Sequence, residues 1–195
     1  TYTCGYNSPM LVGELGAVAL IAGIAASIKT RNEDLATSLD VHGAYLDMGI
    51  GDDAASWMTG EGLTVSTTDT MVEGVHFITE QIGWRNLGWK SFTTNLSDIG
   101  AMGCRPTFAL VTLGLHDTLP VDGLLEMYSG MLDACEFAGG VIAGGDIVKS
   151  PVFFITVGIE GQSATNAAGD HLLLRRDRAK TGDQIAVTGS VGCSG

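Results

Sequence analysis

Apolar and polar positions along this chain follow two periods, and each period predicts an element type. The Ala-rich apolar run over 11–28 predicts a helix, which the polar stretch Lys29 to Asp40 breaks. Residues 41–50 fit neither period cleanly, and Tyr45 to Ile50 reads as a strand that delivers Gly51-Asp52-Asp53 at its end. Leu63 to Ser66 is a short strand that stops at Thr67-Thr68-Asp69-Thr70 and enters a Gly-punctuated loop ending at His76. From Trp84 to Met102 the period is helical, with Leu87, Ser91, Thr94, Asp98 and Ala101 forming an unusually small and polar row. Phe108 to Leu115 is a strand, Asp117 to Pro120 a turn, and Val121 to Phe137 an amphipathic helix facing a sheet through residues such as Leu124, Tyr128 and Met131. Gly139-Gly140 stops that helix. Val141 to Ala143 starts a strand closed by Gly144-Gly145-Asp146, and Val152 to Glu160 forms another. Gln162 to Asp170 reads as a linker, followed by Leu172 to Arg176 and a strand over Gln184 to Thr188.

Composition narrows the class. With 195 residues, 45% hydrophobic and 16% charged, the chain can fill one core, or one domain plus part of another. It opens on Thr1 and stops at Gly195 just after an apparent strand, and so reads as a fragment cut at both ends. A formal charge of −12 argues against nucleic acid, whose binding depends on Lys and Arg displacing counterions. Leu15 to Ile28 is the one membrane candidate, and it is shorter than the roughly 20 residues a span requires. Cys4, Cys104, Cys135 and Cys193 are scattered without zinc or disulfide spacing, which fits a reducing cytoplasm. The sequon Asn95-Leu96-Ser97 would be idle there.

The candidate chemistry lies in the acidic turns: Gly51-Asp52-Asp53, Thr67-Thr68-Asp69, Asn95 to Asp98 and Gly144-Gly145-Asp146. Each acid is expected at an element end. Carboxylates brought together from several such ends suit Mg²⁺, a hard cation that takes a few carboxylates and leaves room for phosphate. Each motif alone also reads as an ordinary Asp/Gly turn or a solvated helix face. Gly83 to Ser91, GWRNLGWKS, has one residue too many before Lys90 for a phosphate-binding Walker loop. Three arginines in Arg175-Arg176-Asp177-Arg178 read equally as a phosphate clamp or a solvated loop. No cysteine sits in a basic, helix-start setting that would favour thiolate.

The order and spacing of these motifs carry more than any one of them. GIGDDAA at 49–55, STTDTMVEGVHF at 66–77, NLSDIGAMG at 95–103, GGD at 144–146 and R-x3-K-x-GD-x-I-x-VTG at 176–189 together resemble thiamine-monophosphate kinase, of the superfamily of aminoimidazole ribonucleotide (AIR) synthetase and selenophosphate synthetase. The resemblance implies an α/β (α+β) fold with a mixed sheet packed by helices. It implies an ATP- and Mg²⁺-binding domain over 11–161 that dimerises through its sheets, then the linker and start of a second α/β domain over 162–195. The implied reaction is transfer of the γ-phosphoryl group of ATP to thiamine monophosphate. Carried over by motif, Asp53, Thr67, Thr68, Asp69, Asp98 and Asp146 would be metal ligands, Gly145, Asp146 and Arg176 would contact ATP, and His76 would hold the substrate. Without the resemblance, His76 reads as a loop histidine satisfied by backbone. Ile147 and Lys149 depart from the hydroxyl residue and Arg common in the family after GGD. Two alternatives stay open: another ATP-using member of the superfamily, and a non-catalytic nucleotide-binding or dimerisation module.

Overall fold

The computed structural model describes residues 9–40, 43–51, 53–187 and 189. Its elements are α1 (Val12–Leu15), α2 (Ala17–Asp40), β1 (Tyr45–Met48), β2 (Ser56–Met58), β3 (Thr64–Val72), α3 (Thr79–Ile82), α4 (Trp84–Ala101), β4 (Cys104–Leu115), α5 (Val121–Ala138), β5 (Val141–Lys149), β6 (Phe154–Thr165) and β7 (His171–Leu172). The main sheet has the order β3-β6-β4-β5, with β7 paired to the end of β6. Only β4 and β5 run parallel, joined by the crossover helix α5, so the sheet is mixed as expected.

One face of the sheet is buried. Met71, Val111, Leu113, Ile155, Val157 and Ile159 pack with Leu87, Phe92, Ile99, Leu124, Met127 and Met131 from α4 and α5. The two helices meet through glycine: a Cβ on Gly88 would fall 1.8 Å from the Met127 carbonyl oxygen, and one on Gly130 would fall 1.9 Å from that of Arg85. The opposite face is covered at Phe108, Val141 and Ala143, where Leu35 of α2 packs and the β1–β2 hairpin lays Trp57 on Phe108, ring centres 5.2 Å apart, and Leu110 and Val148 beyond this cover are exposed.

Helix α2 differs from its predicted form. The helical run breaks at Gly16, whose φ is +80°, and continues past Lys29 to Asp40. The polar half persists because it has partners. Arg31 donates to Glu136 (2.7 Å) and Asp133 (2.9 Å) on α5, and the Asn32 amide donates to the Ile142 carbonyl on β5 (2.7 Å). Asp133 also receives two hydrogen bonds from Arg85, at 2.7 and 2.8 Å, and so ties α2, α4 and α5 together.

Two strands also overrun their expected ends. β3 continues through Thr67-Thr68-Asp69-Thr70 to Val72, in unbroken register with β6 from Thr64↔Gln162 to Val72↔Phe154. β5 continues through Gly144-Gly145-Asp146, which pair with Leu110, Val111 and Thr112. Each ladder pairs the inward-facing backbone groups of these stretches, and that outweighs the turn preference of Gly and Asp. Asp69 and Asp146 therefore sit inside strands rather than at element ends. β4 begins at Cys104, β6 runs on to Thr165 through the first residues of the expected linker, and 183–187 lie in no strand. Asp52 and Thr188 lie outside the described residues. No helix among the described residues is long and apolar enough to cross a membrane.

Candidate functional site

The acidic motifs occupy two clefts at opposite edges of the sheet. At the β5 edge a cleft of about 660 Å³ lies between residues 49–51 and 53–55 and the middle of β5, and it is lined by Asp53, Thr112, Gly145 and Asp146. Both acids are exposed, and Asp146 Oδ1 accepts the Ile147 backbone N–H at 2.9 Å. Gly145 is required by packing: a Cβ there would fall 1.8 Å from the Val111 carbonyl oxygen.

At the β3 edge a second cleft, about 650 Å³, is lined by Thr67, Asp98, Met102, Leu174, Arg175 and Arg176. The Thr67 hydroxyl donates to Asp98 Oδ2 at 2.7 Å, which orients that carboxylate from the neighbouring strand. The segment after β7 is held here by the Leu174 N–H, which donates to the Met102 carbonyl at 3.0 Å. Its three arginines are unequal. Arg175 donates twice to Asp177 (3.0 and 3.1 Å) and Arg178 lies 4.0 Å from the same carboxylate, whereas Arg176 pairs with no acid among the described residues.

Strand periodicity separates neighbours that the motif presents as one run. Met71 is in the helix-covered core and Thr67 bonds to α4, so the two-residue period puts Asp69 on that same face. Thr68 and Thr70 point to the open face, where Thr70 and Thr156 share a hydrogen bond of 2.8 Å. Thr70, Thr156, Thr112 and Asp146 are successive partners in the ladder, so a row of oxygen-bearing side chains crosses the sheet at one level.

The expected convergence of Asp53, Asp69, Asp98 and Asp146 is not present within one chain. β6 and β4 lie between β3 and β5, and three strand spacings amount to roughly 14 Å. Among the described residues no three His, Cys, Asp or Glu groups come close enough to hold a metal ion. The acidic motifs themselves offer oxygen donors, a chemistry that suits Mg²⁺ rather than a soft metal.

His76 lies in the turn after β3. Its Nδ1 accepts the Val72 backbone N–H at 3.1 Å, its own N–H donates to the Val72 carbonyl at 2.9 Å, and its carbonyl accepts from Lys90 Nζ at 2.9 Å. The backbone-satisfied histidine read from the residues is what the fold contains, with Nε2 left as the ring's remaining hydrogen-bonding atom. Lys90 and Thr112 were not singled out from sequence. Lys90 precedes Thr94 and Asp98 at intervals of four, which is the signal in the sequence that places it on their side of α4.

Cys4 and Cys193 lie outside the described residues, and the two described thiols line neither cleft. Cys104 and Cys135 are buried, and burial raises both above the ordinary thiol range, Cys135 to about 12. Burial likewise raises the Tyr128 phenol. Protons held by the folded state above the unfolded thiol value are lost on unfolding, so stability falls as pH rises from about 9 towards the folded values. Chemical denaturation at pH 7.5 and 10 is expected to give a lower midpoint at pH 10. Alkylation of Cys135 at pH 7.5 should track unfolding, and rapid modification of the native protein would contradict the burial.

Comparison with known proteins places the chain among relatives. Residues 51–162 match the family described as AIR synthase related protein, N-terminal domain. The chain is 36% identical over 145 residues to thiamine-monophosphate kinase of Aquifex aeolicus (strain VF5), covering 74% of this chain and 45% of that protein. The solved thiamine-monophosphate kinase of Stenotrophomonas maltophilia K279a superposes with a TM-score of 0.65 at 31% identity, covering 81% of this chain and 45% of that one. A structure of AaThiL complexed with AMPPCP and TMP gives a TM-score of 0.52 at 32% identity, covering 78% and 43%. The chain spans about half the length of the curated relatives it matches.

Proposed function

Because the chain belongs to the AIR synthase related protein family, we propose that it is the amino-terminal part of a thiamine-monophosphate kinase. The whole enzyme would transfer the γ-phosphoryl group of ATP to the phosphate of thiamine monophosphate, giving thiamine diphosphate. The observation that carries this reading is an open cleft at each sheet edge with oxygen donors in its lining, Thr67 and Asp98 at one and Asp53 and Asp146 at the other. Phosphoryl transfer asks a protein chiefly to align donor and acceptor and to neutralise charge. The acceptor is a phosphate oxygen, anionic near neutral pH, so no general base and no nucleophilic thiol is needed.

Two half-sites become one if two copies associate. A two-fold dimer joined through the open sheet faces would set β3 of one protomer against β5 of its partner, bringing the Thr67–Asp69–Asp98 edge to the Asp53–Asp146 edge. Support comes from the open face itself, where Leu110 and Val148 are 43% and 40% exposed, and from the edge strands, neither of which has an outer neighbour among the described residues. Mg²⁺ bound at that junction would offset the charge of the polyphosphate. The carboxylates of Asp53, Asp69, Asp98 and Asp146 would hold it, with Thr67 keeping Asp98 in place and Thr68 lying one residue away on the opposite face. Arg176, unpaired beside Asp98, would meet a phosphate of ATP, and Gly145 would let the nucleotide lie close to β5. His76 would donate from Nε2 to the accepting phosphate. The region after residue 161 would open a second domain, and a cytoplasmic location with no nucleic-acid or membrane partner completes the reading.

The test is formation of thiamine diphosphate from thiamine monophosphate, ATP and Mg²⁺ by the full-length protein, read by chromatography. Turnover is expected. Turnover of a different small phosphate acceptor, with none of thiamine monophosphate, would contradict the reading.

A further inference from the structure

We propose that Lys90 is a positioning residue for the phosphate acceptor, acting through the turn that carries His76. The inference rests on the kinase reading above and extends it to a residue outside the acidic motifs.

Lys90, Thr94 and Asp98 fall at intervals of four on α4 and so lie along one stripe of the helix, with the Thr94 hydroxyl donating to the Lys90 carbonyl at 2.9 Å. This stripe runs beside β3, antiparallel to it. At one end Asp98 receives the Thr67 hydroxyl; at the other, Lys90 Nζ donates to the His76 carbonyl. Eight residues at about 1.5 Å each separate the two ends by roughly 12 Å. The stripe is thus acidic at the β3-edge cleft and cationic at the His76 turn. A phosphate acceptor that accepts a hydrogen bond from His76 Nε2 has its phosphate at the cationic end.

The geometry around His76 indicates what Lys90 adds. The backbone N–H of His76 and its Nδ1 are both taken by Val72, which fixes the ring relative to β3. Nδ1 accepts, so the proton of the neutral ring is on Nε2, its one remaining donor. The carbonyl is the last free backbone atom of that residue, and it is Lys90 that holds it. The rest of the turn is anchored independently: Glu73 Oε1 accepts from the Thr79 hydroxyl at 2.6 Å, and Phe77 packs edge-on to Phe153 with ring centres 5.4 Å apart. Loss of Lys90 therefore leaves the turn folded but frees the peptide that aims the imidazole. It also removes a positive charge from this end of the stripe, in a chain with only 10 Lys and Arg against 22 Asp and Glu.

The experiment uses the full-length protein and the variants Lys90→Met and Lys90→Arg, with circular dichroism to establish that each folds. In Lys90→Met the KM for thiamine monophosphate is expected to rise about tenfold, while the KM for ATP and kcat change less than about threefold. Calorimetric titration with thiamine monophosphate alone should weaken by a similar factor. Lys90→Arg, which keeps a cationic donor, should recover most of the loss. An unchanged KM for thiamine monophosphate in an active Lys90→Met enzyme, or equal losses for both substrates, overturns the role of Lys90 alone. A wild-type protein that does not turn over thiamine monophosphate overturns the kinase reading and this inference with it.

Discussion

Replacing Asp98 by alanine in the full-length protein is expected to lower kcat for thiamine diphosphate formation at least about a hundredfold, close to 3 kcal/mol of transition-state stabilisation. The carboxylate stands at the exposed end of α4 and is held by a single hydroxyl, from Thr67. It makes no contact that the core depends on, so the melting temperature should move little. Asp98→Asn keeps the shape and loses the charge, and should be nearly as inactive. Thr67→Val removes only the orienting hydrogen bond, and a loss of about tenfold is expected. Equal activity in Asp98→Ala and wild type would remove Asp98 from the site.

The largest expected effect on stability comes from the glycines between α4 and α5. Gly88→Ala gains up to about 1 kcal/mol in helix propensity. Against that, its Cβ would lie 1.8 Å from a carbonyl oxygen of the facing helix, and backbone cannot swing aside as a side-chain tip can. Overpacking of this kind costs about 3 kcal/mol. The clash wins, and the net loss should lower the melting temperature by roughly 4–10 °C. Gly130→Ala, with 1.9 Å to the Arg85 carbonyl, should behave alike. Gly100 supplies the control on α4: nothing lies within 4 Å of its added Cβ, so Gly100→Ala should be neutral or stabilising. Parallel melting curves of the three variants decide the matter, and a Gly88→Ala protein as stable as wild type would mean that the helices are further apart than described.

Much of this architecture was legible in the residues. The apolar period of 121–137 located α5 to within a residue, because that helix buries one continuous stripe against a sheet, and the helical row from Trp84 located α4 equally well although Thr94, Asp98 and Ala101 of that row lie outside its buried stripe. Strand ends were not legible at Thr67 or Gly144. Hydroxyl residues, glycine and aspartate announce turns locally, and only pairing with β6 and β4 keeps them extended. The same applies to Lys29–Asp40, whose helical state depends on Arg31 reaching Asp133 and Glu136, about 100 residues away. The motifs named the acids of the candidate site without their arrangement. Sequence order says nothing of strand order, and it is β3-β6-β4-β5 that sends Asp69 and Asp146 to opposite edges.

That separation makes one experiment more direct than any single substitution. If one site is completed by two protomers, a full-length Asp146→Ala subunit retains a sound β3 edge, and an Asp98→Ala subunit retains a sound β5 edge. Each variant alone is expected to be inactive. Mixed under conditions that exchange subunits statistically, half of the dimers would be hybrids carrying one intact site of two, and activity should recover to about a quarter of wild type. No recovery, with hybrid dimers present by native mass spectrometry, would contradict the account by requiring both acids from the same chain.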